Sequence, residues 1–456
     1  MNFLFISKEG SSLPMALRVK MEGNTVAIYL DDPLLAKKAY EGLAVRKINR
    51  KELGALVEDR SWIKIFDETG MGKLADKLMR KDHLVVGGAG IADKLENDRD
   101  FGMQIMRKYD IRVPITQKFD NFAEAKKFVM ENPRKYVFKP STISEQKITS
   151  FEIQEYIPGV IIETEGWFTG NDFLYPLIGE MEEKYYANDN LGVMTGQAGT
   201  VLWAYEEASP AVVEKGIGKL LPLLRKEHYY GPICLNTIAR GDELIGLEFT
   251  VRFGYDSVYA FMEGLEMDFG ELLHGLADGK LKHISYNMAT YQTALRVSVP
   301  PYPYNQISAS TYVAQDIGDM INHLDHMTSR PVFQNDVNYT WLNYRDGHRE
   351  MGTDIEGKKI LLTSPEGLKI GGVKSEDLPH VHFFDVKADK NGNPVTAGTD
   401  GIICAITNKD TTIEAAMGRT YGIANSITIP NKFFRTDIGK RAVRDYQSLK
   451  EGNWFK

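Results

Sequence analysis

The stretch Leu244-Ile245-Gly246-Leu247-Glu248-Phe249-Thr250-Val251-Arg252-Phe253-Gly254-Tyr255-Asp256 alternates apolar and polar residues. Side chains two apart on a strand point the same way, so Glu248, Thr250 and Arg252 fall on one face. A carboxylate, a hydroxyl and a guanidinium in a row can hold a divalent cation and the phosphates attached to it. Carboxylate oxygens suit Mg²⁺, and Arg offers a fork to phosphate. The same pattern also fits a half-buried strand with a solvated polar face, and spacing alone leaves both readings open.

The rest of the chain bounds the choice. Its 456 residues are enough for several domains with sizeable cores. A hydrophobic fraction of 43% and a charged fraction of 26% are ordinary for a soluble protein. A formal net charge of -7 argues against a polyanion-binding surface, so no nucleic-acid partner is expected. Cys234 and Cys404 are the only cysteines, too few and too far apart for a disulfide framework or a cysteine metal site. The start, Met1-Asn2-Phe3-Leu4-Phe5-Ile6-Ser7-Lys8, lacks a basic leader, and no apolar run reaches membrane-spanning length. The chain therefore reads as cytoplasmic, with no membrane partner.

The run Glu248-Phe249-Thr250-Val251-Arg252-Phe253-Gly254 resembles the Glu-Phe-Asn-x-Arg-Phe-Gly signature of the ATP-grasp ligase family of glycinamide ribonucleotide synthetases, or phosphoribosylamine–glycine ligases. Further stretches match the family in the same order. At the end, Arg435-Thr436-Asp437-Ile438-Gly439-Lys440-Arg441-Ala442 matches Arg-x-Asp-Ile-Gly-x-Arg-Ala. The resemblance implies an α/β protein with the ATP-grasp fold. An N-terminal doubly wound (pre-ATP-grasp) domain would occupy 1–105, and the ATP-grasp domain, with a shortened lid, 106–295. A C-terminal α+β domain would follow over 296–456, with an insertion at about 305–358.

At the N-terminus, Phe3 to Ile6, Thr25 to Leu30 and His83 to Val86 read as strands, and Leu13 to Lys20 as a helix. A small-residue loop between the first strand and helix is where a phosphate can meet loop amides. Here Gly10-Ser11-Ser12-Leu13 replaces the family's Gly-Gly-Arg-Glu-His loop, so the Arg and His are missing and Ser11 and Ser12 become the candidate substrate contacts. Leu95 to Tyr109 reads as one helix. Tyr136 to Pro140 is a short β run carrying Lys139, which matches the lysine on the ATP phosphates. The ten residues Ser141 to Ser150 contain no glycine where the family has a glycine-rich lid. Gln154, Glu155, Tyr156 and Ile157 then match the adenine hinge. The family's ribose carboxylate falls at Ile161, and Glu163, two residues on, substitutes for it.

Gly179-Glu180-Met181-Glu182-Glu183-Lys184 leads to Gly192-Val193-Met194-Thr195-Gly196-Gln197-Ala198-Gly199, whose three glycines and threonine imply a loop whose backbone closely approaches a partner. It matches the family's acceptor-site loop, retaining Lys184, Gly192, Thr195, Gly196 and Gly199, while the Pro-Asn pair has become Val193-Met194 and one Gly has become Gln197. Asn236, on the strand Pro232 to Ile238, could add an oxygen, and Asp256 stands in the family's Gly-Asp-Pro-Glu turn. The segment 305–358 holds His323, His326 and His348; His-x-x-His is a possible metal pair, but a surface role fits it better without further ligands.

The resemblance implies ATP and Mg²⁺ (or Mn²⁺) as cofactors, held by Glu248, Thr250 and Asn236. Arg252 and Lys184 would be catalytic, and Gly192, Thr195, Gly196 and Asp256 would bind substrate. A small-molecule carboxylate and an amine are the implied partners of a monomer or homodimer that joins glycine to phosphoribosylamine. Another carboxylate–amine pair is the alternative that the lost Arg-Glu-His loop and Pro-Asn pair support, and a non-catalytic nucleotide-binding homologue is the one that Gln154, Ile161, Thr250 and the missing lid support.

Overall fold

A computed structural model describes residues 1–43, 45–144, 147–207, 209–303, 312–329, 351–353, 359–361 and 365–456. The chain divides into two compact units. The first is Met1–Arg112 with Val160–Pro300 and Pro365–Lys456; the second is Val113–Gly159 with Pro301–Ser364.

The first unit opens with five parallel strands, β1 (Asn2–Ser7), β2 (Thr25–Leu30), β3 (Arg46–Lys47), β4 (Trp62–Phe66) and β5 (Val85–Val86), in the order β3-β2-β1-β4-β5. A parallel sheet is covered on both faces, which is why β1 is apolar without a break. Phe3 and Phe5 enter one core, and Leu4 and Ile6 the other. The expected helix forms over Leu13–Met21. Leu95 to Tyr109, expected as one helix, instead belongs to two, Gly90–Asn97 and Arg99–Lys108. Asp98 breaks the run because its carboxylate accepts the Phe101 N–H at 3.0 Å and caps the second helix.

In the second unit β6 (Thr116–Phe119), β7 (Tyr136–Ser144) and β8 (Lys147–Glu155) form an antiparallel sheet with a short strand, Tyr312–Val313, in the order Tyr312–Val313, β7, β8, β6. Phe138, Phe151 and Ile153 pack beneath the helices Phe122–Glu131 and Ile317–Ser329, with Phe122 stacked 4.5 Å from Phe151. The glycine-free stretch expected as a shortened lid is thus the outer part of the paired strands β7 and β8, and 145–146 lie outside the described residues. Part of the expected insertion joins this same core, and His323 lies flat on Tyr312 at 4.0 Å. His348 and 304–311, 330–350, 354–358 and 362–364 lie outside the described residues, as does the side chain of His326.

The first unit's large sheet is antiparallel. It comprises β9 (Val160–Thr169), β10 (Phe173–Tyr185), β11 (Met194–Ala204), β12 (Tyr230–Arg240), β13 (Glu243–Thr250) and β14 (Tyr291–Ser298), in the order β13-β12-β9-β10-β11-β14, continued by Ile402–Asp410 and Val381–Phe383. Residues 161, 163, 165 and 167 share one face of β9. Trp167, at one end, stacks on Phe261 at 4.8 Å beneath the helix Ser257–Gly264, while Ile161, at the other, is 44% exposed. Glu163 and Glu165 lie between core and solvent, both buried. Among the described residues, no helix is long and apolar enough to cross a membrane.

Candidate active site

Antiparallel register places four polar residues side by side across the large sheet. Glu248 of β13 pairs with Asn236 of β12, Asn236 with Glu163 of β9, and Glu163 with Glu180 of β10. Directly paired residues project from the same face about 5 Å apart, so this line is a row of side chains. The next line reads Thr250, Cys234, Glu165, Ile178. Two residues beyond Glu180, Glu182 joins the same face. Glu163, Glu180 and Glu182 each offer a carboxylate oxygen, all within 4.8 Å of one another.

Lys184 enters this row. Its Nζ lies 2.5 Å from Glu182 Oε1 and 3.2 Å from Glu248 Oε1. Burial opposes its charge, yet Glu248 and Glu163 outweigh that cost and raise its pKa, so the ammonium stays protonated. With its amide nitrogen turned to Glu163, Asn236 donates to that carboxylate at 2.8 Å, while Thr250 Oγ1 lies 3.5 Å from the other end of the amide. Burial pushes the Glu163 carboxyl up to about 7, with Lys184 opposing the rise and Glu248 adding to it. Glu165 is likewise pushed up to about 7 by burial and then by Glu163. Glu180 rises well above the carboxylate range for the same reasons, although Thr200 Oγ1 and Gln197 Nε2 donate to it at 2.7 and 2.8 Å.

One lysine among five carboxyl groups leaves an excess of acid, and burial with this crowding raises Glu163, Glu165 and Glu180. Oxygen donors clustered so closely suit Mg²⁺ or Mn²⁺, so the donor set fits the divalent cation that the family resemblance implies.

The opposite face of β10 is braced by the C-terminal motif. Glu183 points away from the row and accepts from Arg441 at 2.9 Å. Arg435, buried, grips Asp437 with two bonds of 2.8 Å and donates to the Tyr185 carbonyl at 2.9 Å. Asp437 accepts the Asp189 N–H at 2.9 Å. This clamp fixes the strand that presents Lys184.

The expected acceptor loop is in large part strand, because β11 begins at Met194. Gly192, at φ +80°, makes the turn before it. The glycines serve close packing: a Cβ at Gly196 would lie 2.9 Å from the Tyr255 ring. Thr195 Oγ1 donates to the Lys184 carbonyl at 2.7 Å. Gln197 joins the row to the turn after β13, since it donates to Glu180 and its Oε1 accepts the N–H groups of Asp256 and Ser257 at 2.7 and 3.2 Å. The Asp256 side chain is fully buried and held by Arg296 through contacts of 2.9 to 3.2 Å.

β13 stops at Thr250, so Arg252 lies just past the strand. Its Nε donates to Glu96 at 2.8 Å and its guanidinium sits 4.1 Å from the centre of the Tyr255 ring. Ser11 and Ser12 meet acids: Ser11 Oγ lies 2.7 Å from Glu68 Oε1 and 3.0 Å from Asp67 Oδ2, with one proton to share between them, and Ser12 N–H donates to Asp67 at 2.9 Å.

The remaining candidates belong to the second unit. Lys139 is buried opposite Glu152 in the β7–β8 pair. Gln154 donates to Thr116 Oγ1 at 3.0 Å and Glu155 accepts the Ile115 N–H at 2.8 Å. Tyr156, 38% exposed, receives the Lys135 ammonium 4.0 Å from its ring centre, and Ile157 is buried. β8 ends at Glu155, so Tyr156 and Ile157 follow it outside the sheet.

Thus the structure gathers Glu163, Lys184, Asn236 and Glu248 in one row, with Thr250 in the next line on the same face. Sequence reasoning missed Glu180, Glu182, Glu165, Gln197, Asp67 and Glu68. The alternation in Gly179-Glu180-Met181-Glu182-Glu183-Lys184 was the available signal for the first two.

No family model matches the chain. A phosphoribosylamine–glycine ligase of Listeria monocytogenes is 23% identical over 384 residues, 76% of each chain. The chloroplastic phosphoribosylamine–glycine ligase of Arabidopsis thaliana is 22% identical over 417 residues, 82% of this chain and 66% of its own. The crystal structure of phosphoribosylamine–glycine ligase from Thermotoga maritima superposes with a TM-score of 0.61 at 15% identity, over 96% of this chain and 100% of that one. The chain has the ATP-grasp fold and is similar to phosphoribosylamine–glycine ligases. In this ATP-grasp fold the carboxylate row lies on the sheet formed by β9 to β14, and the parallel strands β1 to β5 make the doubly wound part.

Proposed function

We propose that this ligase joins a carboxylate to an amine through an acyl phosphate, most nearly glycine to phosphoribosylamine. A carboxylate oxygen attacks the γ-phosphorus of ATP and ADP leaves. The amine nitrogen then attacks the acyl carbon, expels phosphate, loses a proton and leaves an amide. The observation that carries this reading is the Glu248–Asn236–Glu163–Glu180 row with Lys184 set into it.

Glu248, with Glu163, Glu182 and the oxygens of Asn236 and Thr250, would hold Mg²⁺ or Mn²⁺, which neutralises phosphate charge when bound. The residues' own work is positioning and charge balance. Lys184 remains cationic beside the row and is placed to stabilise negative charge on the transferring group. Asn236 and Gln197 keep Glu163 and Glu180 in place. Thr195 holds the Lys184 backbone, while Gly192 and Gly196 let the acceptor segment fold tightly beside Tyr255. Arg252, stacked on Tyr255, is the second candidate cation for the reacting phosphoryl group. Lys139, Gln154, Glu155, Tyr156 and Ile157 are proposed as the second unit's nucleotide contacts.

A second reading keeps the ATP chemistry and changes the amine. It is favoured by the hydrogen bonds that tie Ser11 and Ser12 to Asp67 and Glu68, where the related ligases carry Arg and His. ADP release from ATP, Mg²⁺, glycine and phosphoribosylamine tests the first reading, and a panel of amines with glycine tests the second. Glu248→Gln is expected to abolish turnover under either; undiminished turnover would overturn the role given to the row.

A further inference from the structure

A cavity of about 570 Å³, lined by no residue of the carboxylate row, opens in the first unit among the helices Gly72–Met79, Gly90–Asn97, Arg99–Lys108 and Leu221–Lys226. That is the size of a small-molecule site. Two helix starts cross in its wall. Asp76 of the first helix accepts the Gly90 N–H at the start of the second at 2.9 Å, and Asp93 of the second accepts the Gly70 and Gly72 N–H groups at 2.5 and 2.9 Å. The starts abut so closely that a Cβ at Gly72 would lie 2.5 Å from the Gly90 Cα. Both aspartates of the cavity are therefore committed to backbone amides.

The lysines are not. Lys73, Lys94 and Lys108 reach the cavity from three different helices. Lys73 and Lys94 form no ion pair among the described residues, and Lys108 meets the Tyr109 ring at 5.8 Å. Lys226, also in the lining, has its own counter-charge in Glu227 at 3.9 Å. Like charges converging on a concave wall repel one another and focus a positive potential into the cavity, which an arriving anion relieves. The floor differs in kind: Ile91, Ile105 and Leu223 are buried there and Phe101 is half-buried. Lysine serves phosphate as a point charge, and no described arginine lines the cavity to fork a carboxylate. A planar ring set against Phe101 and its aliphatic neighbours would cover the floor.

We propose that this cavity is a second binding site, separate from the carboxylate row, for a small phosphate ester that carries a planar ring, of the class of a nucleoside 5′-monophosphate. The site stands independently of the ligase reading above. Titration calorimetry on the full chain would compare uridine 5′-monophosphate with uridine and with inorganic phosphate, on the parent and on Lys73→Gln/Lys94→Gln, whose positions are both exposed. Uridine 5′-monophosphate is expected to bind the parent at least about tenfold more tightly than either fragment, and the double variant should lose about tenfold of that affinity. A non-hydrolysable ATP analogue with Mg²⁺ is the control, and its affinity should differ by less than about twofold between the two proteins. Equal binding of uridine 5′-monophosphate by both proteins, or binding by neither, overturns the site. A fragment that binds as tightly overturns the ligand class, and a parallel loss of the ATP analogue overturns the separation from the nucleotide site. Failure of the ATP analogue to bind the parent would overturn the ligase reading and leave this site standing.

Discussion

Replacing Glu165 with Gln should make the protein more stable at alkaline pH and nearly unchanged in acid. Glu165 lies on β9 between the core residue Trp167 and the carboxylate row, with 4% of its surface exposed. Burial, reinforced by the charge of Glu163, pushes its carboxyl from the ordinary 4.5 up to about 7. In the unfolded chain the same group titrates near its ordinary value, so the folded state binds the proton more tightly. The associated stability is fully present below pH 4.5 and is lost as the pH rises through 7. At about 1.4 kcal/mol per tenfold, the gap amounts to about 3 kcal/mol at pH 8. The amide of Gln is neutral and nearly isosteric, so Glu165→Gln should gain about 2 to 3 kcal/mol at pH 8 and change stability by less than about 1 kcal/mol at pH 4.5. Urea unfolding of the metal-free protein at half-unit steps from pH 4.5 to 8.5 measures this directly. Parallel stability profiles for the parent and the variant would refute the claim that burial governs this carboxyl.

Other perturbations probe the supports of the site. Asp256→Ala leaves the Arg296 guanidinium buried without its carboxylate and should cost about 3 to 5 kcal/mol in chemical denaturation, whereas adding Arg296→Met should recover most of that loss. A loss below about 1 kcal/mol would show that the pair does not hold the turn after β13. Lys184→Met removes the cation from between Glu182 and Glu248; these groups are part-exposed, so the metal-free cost should be only about 1 kcal/mol, with Mg²⁺ raising the variant's melting temperature more than the parent's. An equal response to Mg²⁺ would argue against a cation site in the row. Gly179→Ala would bring a Cβ to 2.4 Å from the Trp203 ring and should cost about 1 to 3 kcal/mol in the same unfolding assay; unchanged stability would mean that the indole moves freely.

Much of the architecture is legible in local pattern. The unbroken apolar run of β1 announces a strand buried on both faces, and the alternation from Leu244 to Arg252 announces one that is half-buried. The resemblance at Glu248 and at Arg435 to Ala442 is enough to name the fold, and the acceptor-loop match adds Lys184; Asn236 is singled out by its strand, whereas Glu163 is expected at the nucleotide ribose and not in this row. Asp98 shows the limit of periodicity, because apolar spacing runs through a position where a side-chain cap splits the helix.

What makes these residues one site is long-range antiparallel pairing. Positions 163, 180, 236 and 248 become neighbours only when β9, β10, β12 and β13 take one particular register, and slipping any strand by one residue would turn its polar group to the other face. The same holds at the N-terminus: Ser11 reads as a phosphate loop until parallel pairing of β1 with β4 sets Asp67 and Glu68 against it. Residue type and spacing determined which side chains were capable of the chemistry, since both act over a few residues. Tertiary structure decided which charges face one another, because that depends on contacts between segments 64 residues apart in the row and 57 at the N-terminus.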